Sequence, residues 1–162
     1  MNATDLRKLD RPALCLPREL VASPVFLLAS VGVAAKLQAM DAYEEAGFSP
    51  YHYGVLALLD EGSRETQATI ADALKVDRSQ LVGLLDALES RELVERRRDP
   101  NDRRRHLVSL TPAGKKELGK LRKVVAQLEE DLLAPLDADE RAQLHSLLHR
   151  VARHRDARYD PS

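Results

Sequence analysis

Two arginine triplets, at positions 96–98 and 103–105, lie on either side of the sequence DPND at residues 99–102. Asp, Pro and Asn are typical turn residues, so the triplets are expected on the two arms of one turn. A guanidinium group can donate two parallel hydrogen bonds to phosphate oxygens, and its binding in a narrow DNA minor groove is favoured by the negative potential there. The spacing therefore predicts a basic hairpin that contacts a nucleic acid.

The rest of the chain does not share this positive charge. Its 162 residues hold 25 Lys and Arg against 26 Asp and Glu, a formal net charge of −1. A nearly neutral chain is not a general binder of polyanions, so its positive charge must act by position. The one cysteine, Cys15, excludes an intramolecular disulfide and suits a reducing cytoplasm.

No export or membrane segment is expected near the start of the chain. The opening sequence MNATDLRKLDRPALCLPREL mixes both charges, unlike a signal peptide. The uncharged stretch LVASPVFLLASVGVAA, residues 20–35, is shorter than the roughly 20 apolar residues of a membrane helix, and a proline interrupts it. We therefore expect a cytoplasmic protein that does not enter a membrane.

Start and stop signals divide the chain into four parts. Residues 1–22 carry two prolines and no clear periodicity, and they are expected to form an N-terminal arm. A dimerisation helix is predicted over residues 23–48, because serine precedes proline at its start, glycine follows its end, and its first half is apolar on all sides. Residues 49–111 hold several short elements, and residues 112–162 hold two further helices.

Two short helices in the third part are joined by about three residues. Thr66 can cap the first of them, and Asp77, with Gln80 three residues later, gives the second a capping-box start. Strands are expected at residues 93–94 and 107–110, on either side of the arginine turn. A helix-turn-helix followed directly by such a hairpin is typical of a winged helix.

In a winged helix the second helix of the pair enters the major groove of DNA. Side chains near its N-terminus reach the base edges, and these positions hold Arg78, Ser79 and Gln80 here. Gly83 has no side chain, which lets the groove wall approach. The hairpin beside this helix is expected to reach phosphates or the minor groove.

The fourth part begins at Thr111-Pro112 and carries a stripe of apolar residues from Leu118 to Leu132 with spacings of 3, 4, 3 and 4. This heptad-like pattern favours packing on another long helix. Both ends of the chain thus carry more apolar surface than one chain needs, which predicts a homodimer. The expected fold is mainly α with a small β-hairpin wing, and helices from both termini form its dimerisation region.

Three stretches of the sequence together resemble a known family. LVERRRDPNDRRRHLVSLTPAG, from residue 93, resembles the wing and following helix start of MarR-type transcriptional regulators, with Asp-x-Arg ahead of Leu-Val-x-Leu-Thr-x-x-Gly. GFSPYHYGVLALL resembles the start of that family's second helix, and TIADALKVDRSQLVGLLDALESRELVERR resembles its reading head. The resemblance runs from Pro24 to the end of the chain.

The resemblance implies a homodimeric repressor or activator whose two reading heads bind a pseudo-palindromic operator on double-stranded DNA. In that family a small molecule, often an aromatic acid or another phenolic, binds between the dimerisation and DNA-binding parts and shifts DNA affinity. By family position, Arg104 would enter the minor groove and Asp102 would hold it in place. No cofactor is expected.

Candidate residues follow from the motifs and the resemblance together. Those for DNA binding are Thr66, Arg78, Ser79, Gln80, Gly83, Arg98, Asp102, Arg103, Arg104 and Arg105. Those for a ligand are Met40, Tyr51, His52 and Tyr53. Two positions depart from the family: His52 stands where glutamine is frequent, and Lys75 stands where glycine is frequent.

The plainest alternative for the arginines is a solvated face whose charges pair with nearby carboxylates. Such partners would be Glu92, Glu95, Asp99 and Asp102. A charge run is usually of this kind, but directly after a helix-turn-helix pattern we favour DNA. A winged-helix module that binds protein or RNA is a further alternative, and the basic wing argues for nucleic acid.

Cys15 suggests a different mechanism. Some relatives of the MarR family sense peroxide through one N-terminal cysteine held by tyrosines of the second helix, where this chain has Tyr51 and Tyr53. Such a thiol needs a lowered pKa, which neighbouring cations provide, and Arg11 and Arg18 are close to Cys15 in sequence. Because Cys15 lies in the arm, we prefer an unreactive thiol and keep a redox regulator as the alternative.

The sequence contains few motifs that would indicate a metal site or an enzyme. His145 and His149 have the i, i+4 spacing that can bind a metal, and His154 is near, but third and fourth ligands are not evident. An exposed polar face is the preferred interpretation. The sequence has no Gly-rich phosphate loop, no Gly-x-Ser-x-Gly and no His-Glu-x-x-His. We expect neither a metal site nor an enzyme.

Overall fold

The computed structural model describes residues 15–62, 65–100, 102 and 105–159. Its helices are α1 (Arg18–Val21), α2 (Pro24–Glu45), α3 (Pro50–Gly62), α4 (Gln67–Leu74), α5 (Arg78–Ser90), α6 (Pro112–Leu132) and α7 (Ala138–Arg155), and a 3-10 turn follows at Ala157–Tyr159. Its strands are β1 (Glu65–Thr66), β2 (Val94–Arg98) and β3 (His106–Leu110). The contacts divide the chain into two units, residues 1–36 and residues 37–162, and α2 runs across the boundary.

The first unit exposes most of its apolar side chains. They are Leu16, Leu20, Val21, Val25, Leu27, Leu28, Val31 and Val33. By length and composition alone α2 is able to cross a membrane, with a mean hydropathy of 1.4 over its most apolar window. The prediction that the uncharged residues 20–35 are too few to span a membrane is wrong on length, because the helix continues to Glu45. Core helices of soluble proteins and signal sequences pass the same test.

The N-terminal arm contains a helical turn that the sequence did not predict. Pro17 precedes α1 as its N-cap, and the N–H of Ala22 donates to the carbonyl of Arg18 at 2.9 Å. Four residues are too few to show a helical period, so the arm looks irregular in sequence. Residues 1–14 of the predicted arm lie outside the described part of the chain.

Several helix ends lie where the cap signals predicted them. The hydroxyl of Ser23 accepts a bond from the N–H of Phe26 at 3.3 Å at the start of α2, and Gly47 ends that helix with a φ of 76°. At the start of α7, Asp137 and Glu140 form a complete capping box, in which each side chain accepts a bond from the backbone N–H of the other residue. Local side-chain chemistry therefore sets these boundaries.

The second unit holds a hydrophobic core between four helices and a sheet. The helices α3, α4, α5 and α6 close it together with a three-stranded sheet in the order β1-β3-β2. Its most deeply buried side chains are Val55, Leu56, Leu59, Ile70, Leu81, Leu85, Leu88, Val108, Leu118 and Leu121. Burying each such side chain contributes about 1.5–3 kcal/mol, and this core holds the helix-turn-helix against the wing.

The strand β1 is an element that the sequence did not predict. It pairs antiparallel with β3, with Glu65 opposite Val108 and Thr66 opposite Leu107. A two-residue strand cannot display the alternation by which strands are recognised. The pairing has a consequence for the site, because it fixes the start of α4 against the wing.

Two residues of the described chain other than glycine hold the left-handed conformation. Lys75 after α4 has a φ of 51°, and Glu92 after α5 has a φ of 58°. At the first position the N–H of Val76 donates to the carbonyl of Ala71 at 3.1 Å, and that of Lys75 donates to Asp72 at 3.4 Å, the Schellman pattern. Lysine thus adopts the conformation that glycine takes without cost, at about 1–2 kcal/mol of strain.

Gly114 lies where the start of α6 meets the base of the wing. A Cβ added there would lie 2.0 Å from the carbonyl oxygen of Leu93 and 2.8 Å from the side chain of Leu110. Thr111 fixes this approach, because its hydroxyl donates to the carbonyl of Glu92 at 2.7 Å and its N–H donates to that of Leu93 at 3.1 Å. No other residue fits between the helix and the strand.

Gly114→Ala is expected to lower the free energy of unfolding by about 3 kcal/mol, because a backbone carbonyl cannot turn aside. Calorimetry should show a melting temperature lower by roughly 6–12 °C. Gly119 on the same helix has no atom within 4 Å of an added Cβ, so it is the control. Gly119→Ala should add about 1 kcal/mol through helix propensity. Equal melting temperatures for Gly114→Ala and the wild type would contradict the close approach.

Candidate nucleic-acid interface

One groove lies between the start of α4, the first turns of α5 and the wing. It has a volume of about 600 Å³. It is lined by Thr66, Gln67, Ala68, Thr69, Arg78, Leu81, Val82, Arg105 and His106. Three of the predicted DNA-binding residues thus share one groove, although they come from three separate elements.

The start of α4 forms one wall of the groove. The hydroxyl of Thr66 accepts from the N–H of Thr69 at 3.1 Å, and the hydroxyl of Thr69 donates to the carbonyl of Thr66 at 2.8 Å. This reciprocal bonding holds the helix end in place. The N-terminal amides of a helix carry partial positive charge, so this wall favours an anion. The sequence did not identify Thr69, although its spacing of three from the cap was a usable signal.

Asp77 organises the start of the recognition helix α5. Its carboxylate accepts from the N–H of Gln80 and from the hydroxyl of Ser79, both at 2.7 Å. The Ser79 bond, followed by the Gln80 bond, lowers the pKa of Asp77, so the cap keeps its charge at neutral pH. The predicted N-cap is confirmed. Because Ser79 gives its hydrogen to Asp77, its hydroxyl is left as an acceptor toward a partner.

The predicted base-reading residues Arg78, Ser79 and Gln80 are exposed on the first turn of α5, as is Gly83 one turn later. No atom lies within 4 Å of the position that a Cβ on Gly83 would take. Glycine is therefore not required by the packing of this chain. The open space faces outward, as the sequence-based interpretation of Gly83 requires.

The outer part of the wing carries exposed arginines. Arg98 is exposed at the end of β2, opposite His106. The carboxylate of Asp102 forms an ion pair with Nε of Arg105 at 3.4 Å, and the backbone carbonyl of Asp102 accepts a hydrogen bond from the N–H of Arg105 at 2.8 Å. The predicted residues Arg103 and Arg104 lie outside the described residues, so the expected bond between Asp102 and Arg104 remains a prediction.

The base of the wing is bound to α5 through Arg96. Its guanidinium donates to Asp86 at 2.6 Å and to Glu89 from Nε at 2.9 Å, and its N–H donates to Glu89 at 3.2 Å. These bonds lower the pKa of Glu89 and raise the pKa of Arg96, with the hydrogen bond between the two as the main cause of each shift. Arg97 pairs with Glu95 at 3.0 Å. The alternative of charges paired with carboxylates is thus correct for Arg97 with Glu95 and for Arg105 with Asp102, whereas Arg96 pairs with two carboxylates of α5 that it did not name.

His52 has a structural partner of its own. Its Nδ1 accepts from the N–H of Ser49 at 3.0 Å, as glutamine does at the third position of a capping box. The ring packs edge-on against Phe48, over which the guanidinium of Arg91 lies at 3.8 Å. Burial, followed by the charge of Arg91, lowers the pKa of His52. The neutral imidazole is therefore the form that caps α3.

The other predicted ligand residues have different surroundings. Tyr53 packs against Tyr43 with the ring centres 5.7 Å apart, and burial, followed by Tyr53, raises the pKa of Tyr43 to about 12. Met40 and Tyr51 are exposed. A groove of about 770 Å³ lies between α2 and α6, and none of the four predicted ligand residues lines it. Their ligand role remains a prediction.

The alternative sites have few supporting contacts. Cys15 is an exposed thiol that precedes α1. The rings of His145 and His149 stack with their centres 5.9 Å apart, and Nε2 of His149 lies 2.7 Å from the carbonyl oxygen of Tyr159. Within the part of the chain that the structure describes, no three His, Cys, Asp or Glu residues are grouped to hold a metal ion.

A helix-turn-helix with a basic hairpin beside its second helix defines the winged-helix class of DNA-binding folds. Residues 48–106 match the sequence profile of the MarR family. The PcaV regulator of Streptomyces coelicolor, solved with its natural ligand, is 30% identical with a TM-score of 0.68, covering 88% of this chain and 100% of that one. A variant of MarR from Escherichia coli, complexed with operator DNA, is 30% identical with a TM-score of 0.65, covering 77% and 90%.

The chain belongs to the MarR family of transcriptional regulators. It is also 35% identical over 95 residues to the transcriptional repressor NicR of Pseudomonas putida, an alignment that covers 59% of this chain. The chain spans 64% and 60% of the length of two curated relatives that it matches. Because these relatives are regulators, the expectation that the chain is not an enzyme is confirmed.

The cap formed by His52 predicts a pH dependence of stability. Since the fold lowers the pKa of His52, the stabilisation is complete above the ordinary histidine pKa of about 6.5 and is lost as the pH falls below it. His52→Gln keeps an acceptor that does not titrate. Between about pH 7.5 and about pH 5.5, the free energy of unfolding in urea should fall for the wild type by about 1 kcal/mol more than it falls for His52→Gln. Parallel pH curves for the two proteins would contradict this role.

Proposed function

We propose that the chain is a sequence-specific DNA-binding transcriptional regulator that acts as a repressor, binds a pseudo-palindromic operator as a homodimer, and is released by a small aromatic or phenolic ligand. The observation that carries the proposal is the groove in which Arg78, Arg105 and the amide end of α4 converge beside the exposed first turn of α5. A MarR variant of similar fold was solved in complex with operator DNA, which favours DNA as the partner of this groove.

The exposed side chains divide the recognition between bases and backbone. Arg78 and Gln80 carry groups that pair with guanine and adenine edges in the major groove. Thr66, at the positive end of α4, has the character of a phosphate contact. The wing residues Arg98, Arg103, Arg104 and Arg105 supply cations for phosphates or for a narrow minor groove, with Asp102 orienting them.

The proposed dimer rests on apolar surface at both ends of the chain. The exposed apolar residues of the first unit have counterparts on α7 at Leu147, Leu148 and Val151. Large exposed apolar surface marks interaction sites in soluble proteins. Covering it with a second copy would also account for the hydropathy of α2 without a membrane. Two reading heads would then meet half-sites about 10 bp apart, or a multiple of that distance.

The proposed effector is a small molecule that controls DNA binding. PcaV, similar along nearly the whole described chain, was solved with a natural ligand, which favours ligand control in this chain as well. Met40 on α2 and Tyr51, His52 and Tyr53 at the start of α3 are the candidates for its contacts. Lys123 is the one cation in the lining of the groove between α2 and α6, beside Asp41, Glu45 and Asp131.

Gly83→Ala separates DNA binding from folding. The added methyl group has free space in the protein, so the free energy of unfolding should rise by about 1 kcal/mol through helix propensity. Against the wall of the major groove the same methyl group should weaken affinity for the best site selected from random DNA by on the order of tenfold, or about 1.4 kcal/mol. Calorimetry and fluorescence anisotropy measure the two effects.

Gly119→Ala is the matched control, because it makes the same change in open space on α6. It should raise stability equally and leave DNA affinity unchanged. Arg78→Ala should weaken binding by about 1–3 kcal/mol and relax the preference at one base position. If Gly83→Ala and Arg78→Ala bind the selected site like the wild type, α5 is not the reading element and the proposal fails.

A further inference from the structure

The C-terminal end of the described chain is bonded to the turn of the helix-turn-helix. Nη1 of Arg158 donates to the carbonyl of Ala73 at 2.8 Å, across 85 residues of sequence. Nζ of Lys75 donates to the carboxylate of Asp156 at 2.7 Å, across 81 residues. Arg158 and Asp156 are also bonded to each other, with Nη2 donating to Oδ2 at 2.7 Å. We call these four residues the C-terminal clasp.

The clasp completes the end of α4. The last carbonyls of a helix lack intrahelical donors, and the Schellman pattern satisfies only those of Ala71 and Asp72 here. The guanidinium of Arg158 supplies the donor for Ala73. Lys75, the residue after α4, holds a left-handed conformation that glycine adopts most easily, and its ion pair with Asp156 restrains it in that conformation. The turn is thus held from outside the helix-turn-helix.

The clasp is continuous with α7. The N–H of Asp156 donates to the carbonyl of Ala152 at 3.0 Å, as the last bond of that helix. The carbonyl of Tyr159 lies 2.7 Å from Nε2 of His149, which returns the segment to the same helix. The side chain of Asp156 is only 20% exposed between its two cations, and these bonds hold its pKa far below the usual range. A displacement of α7 therefore pulls directly on the turn.

We propose that Asp156 and Arg158 are positioning residues for DNA binding, which fix the turn between α4 and α5 and make the setting of the recognition helix depend on α7. The inference rests on the proposed function, because it names the route from the C-terminal helix to the reading head. Arg78, Ser79 and Gln80 begin three residues after Lys75, so a loosened turn displaces the base-reading side chains. Arg158 itself need not touch DNA.

The test compares Arg158→Ala with Arg150→Ala, which removes the same charge from an exposed position on α7. Amide hydrogen exchange of Lys75 and Val76 is measured without DNA, and affinity for the selected site and for an unrelated duplex is measured at several salt concentrations. Arg158→Ala should speed exchange at the turn and weaken the selected site on the order of tenfold. It should leave the unrelated duplex and the slope of log affinity against log salt unchanged.

Two further variants keep the test sharp. Asp156→Asn keeps the shape and removes the charge, so it should reproduce the effect in milder form even if Arg158→Ala folds poorly. In the Arg158→Ala background, Lys75→Gly should restore part of the affinity, because glycine takes the left-handed turn without a clasp. Gly119→Ala in the same background raises stability on α6 away from the turn, so it should not restore affinity if the clasp acts by positioning.

The outcomes are separable. A salt slope that falls by about one in Arg158→Ala would make Arg158 a phosphate contact and overturn the positioning role. Exchange at the turn equal to that of Arg150→Ala would overturn it as well. If the wild type selects no DNA site, the proposed function fails, while the exchange measurement still decides whether the clasp holds the turn.

Discussion

The ion pair that joins Arg96 to Asp86 and Glu89 sets the angle between the recognition helix and the wing. The groove between them is defined by that angle, because one wall belongs to α5 and another to the outer end of β3, at Arg105 and His106. Partly shielded bonds of a bidentate arginine are stronger and more directional than surface ion pairs. The backbone N–H of Arg96 also donates a hydrogen bond to the carboxylate of Glu89. The wing is therefore fixed before any nucleic acid binds.

The charge of the chain is divided between holding the structure and meeting a partner. Arg96, Arg97, Arg105 and Arg158 are paired with carboxylates. Arg78 is exposed in the lining of the groove, and Arg98 is exposed at the end of β2. A net charge of −1 is compatible with DNA binding, because Arg78 and Arg105 converge on one groove whatever the balance over the whole chain. The sequence suggested the pair of Arg97 with Glu95, which are two residues apart, but not the bonds of Arg96 to the preceding helix, which depend on how β2 packs against α5.

Sequence patterns predicted what local chemistry decides. The cap residues Asp77, Thr111 and Asp137, the glycine after α2, and the order of helices and wing all follow from signals within a few residues of each other. β1 was missed because it is too short for a pattern. The cap role of His52 was missed because Ser49 with histidine three residues later is an uncommon form of the capping box.

Features set by distant contacts left no such signal. The glycine at 114 stands in the recognised motif, but its reason is a carbonyl 21 residues earlier in the chain, that of Leu93, 2.0 Å from where a Cβ would lie. The clasp between Arg158 and Ala73 spans 85 residues and has no periodic trace. Among the predicted DNA-binding residues, Thr66, Arg78 and Arg105 meet in one groove because tertiary packing brings α4, α5 and the wing together.

Selection of bound sequences from random duplex DNA tests most directly whether two copies of this chain read DNA through α5 and the wing. The account predicts a two-fold symmetric site whose half-sites lie about 10 bp apart, or a multiple of that distance, with strong base preference in each half. A bound pool without symmetry, or one with no base preference at physiological salt, would contradict it.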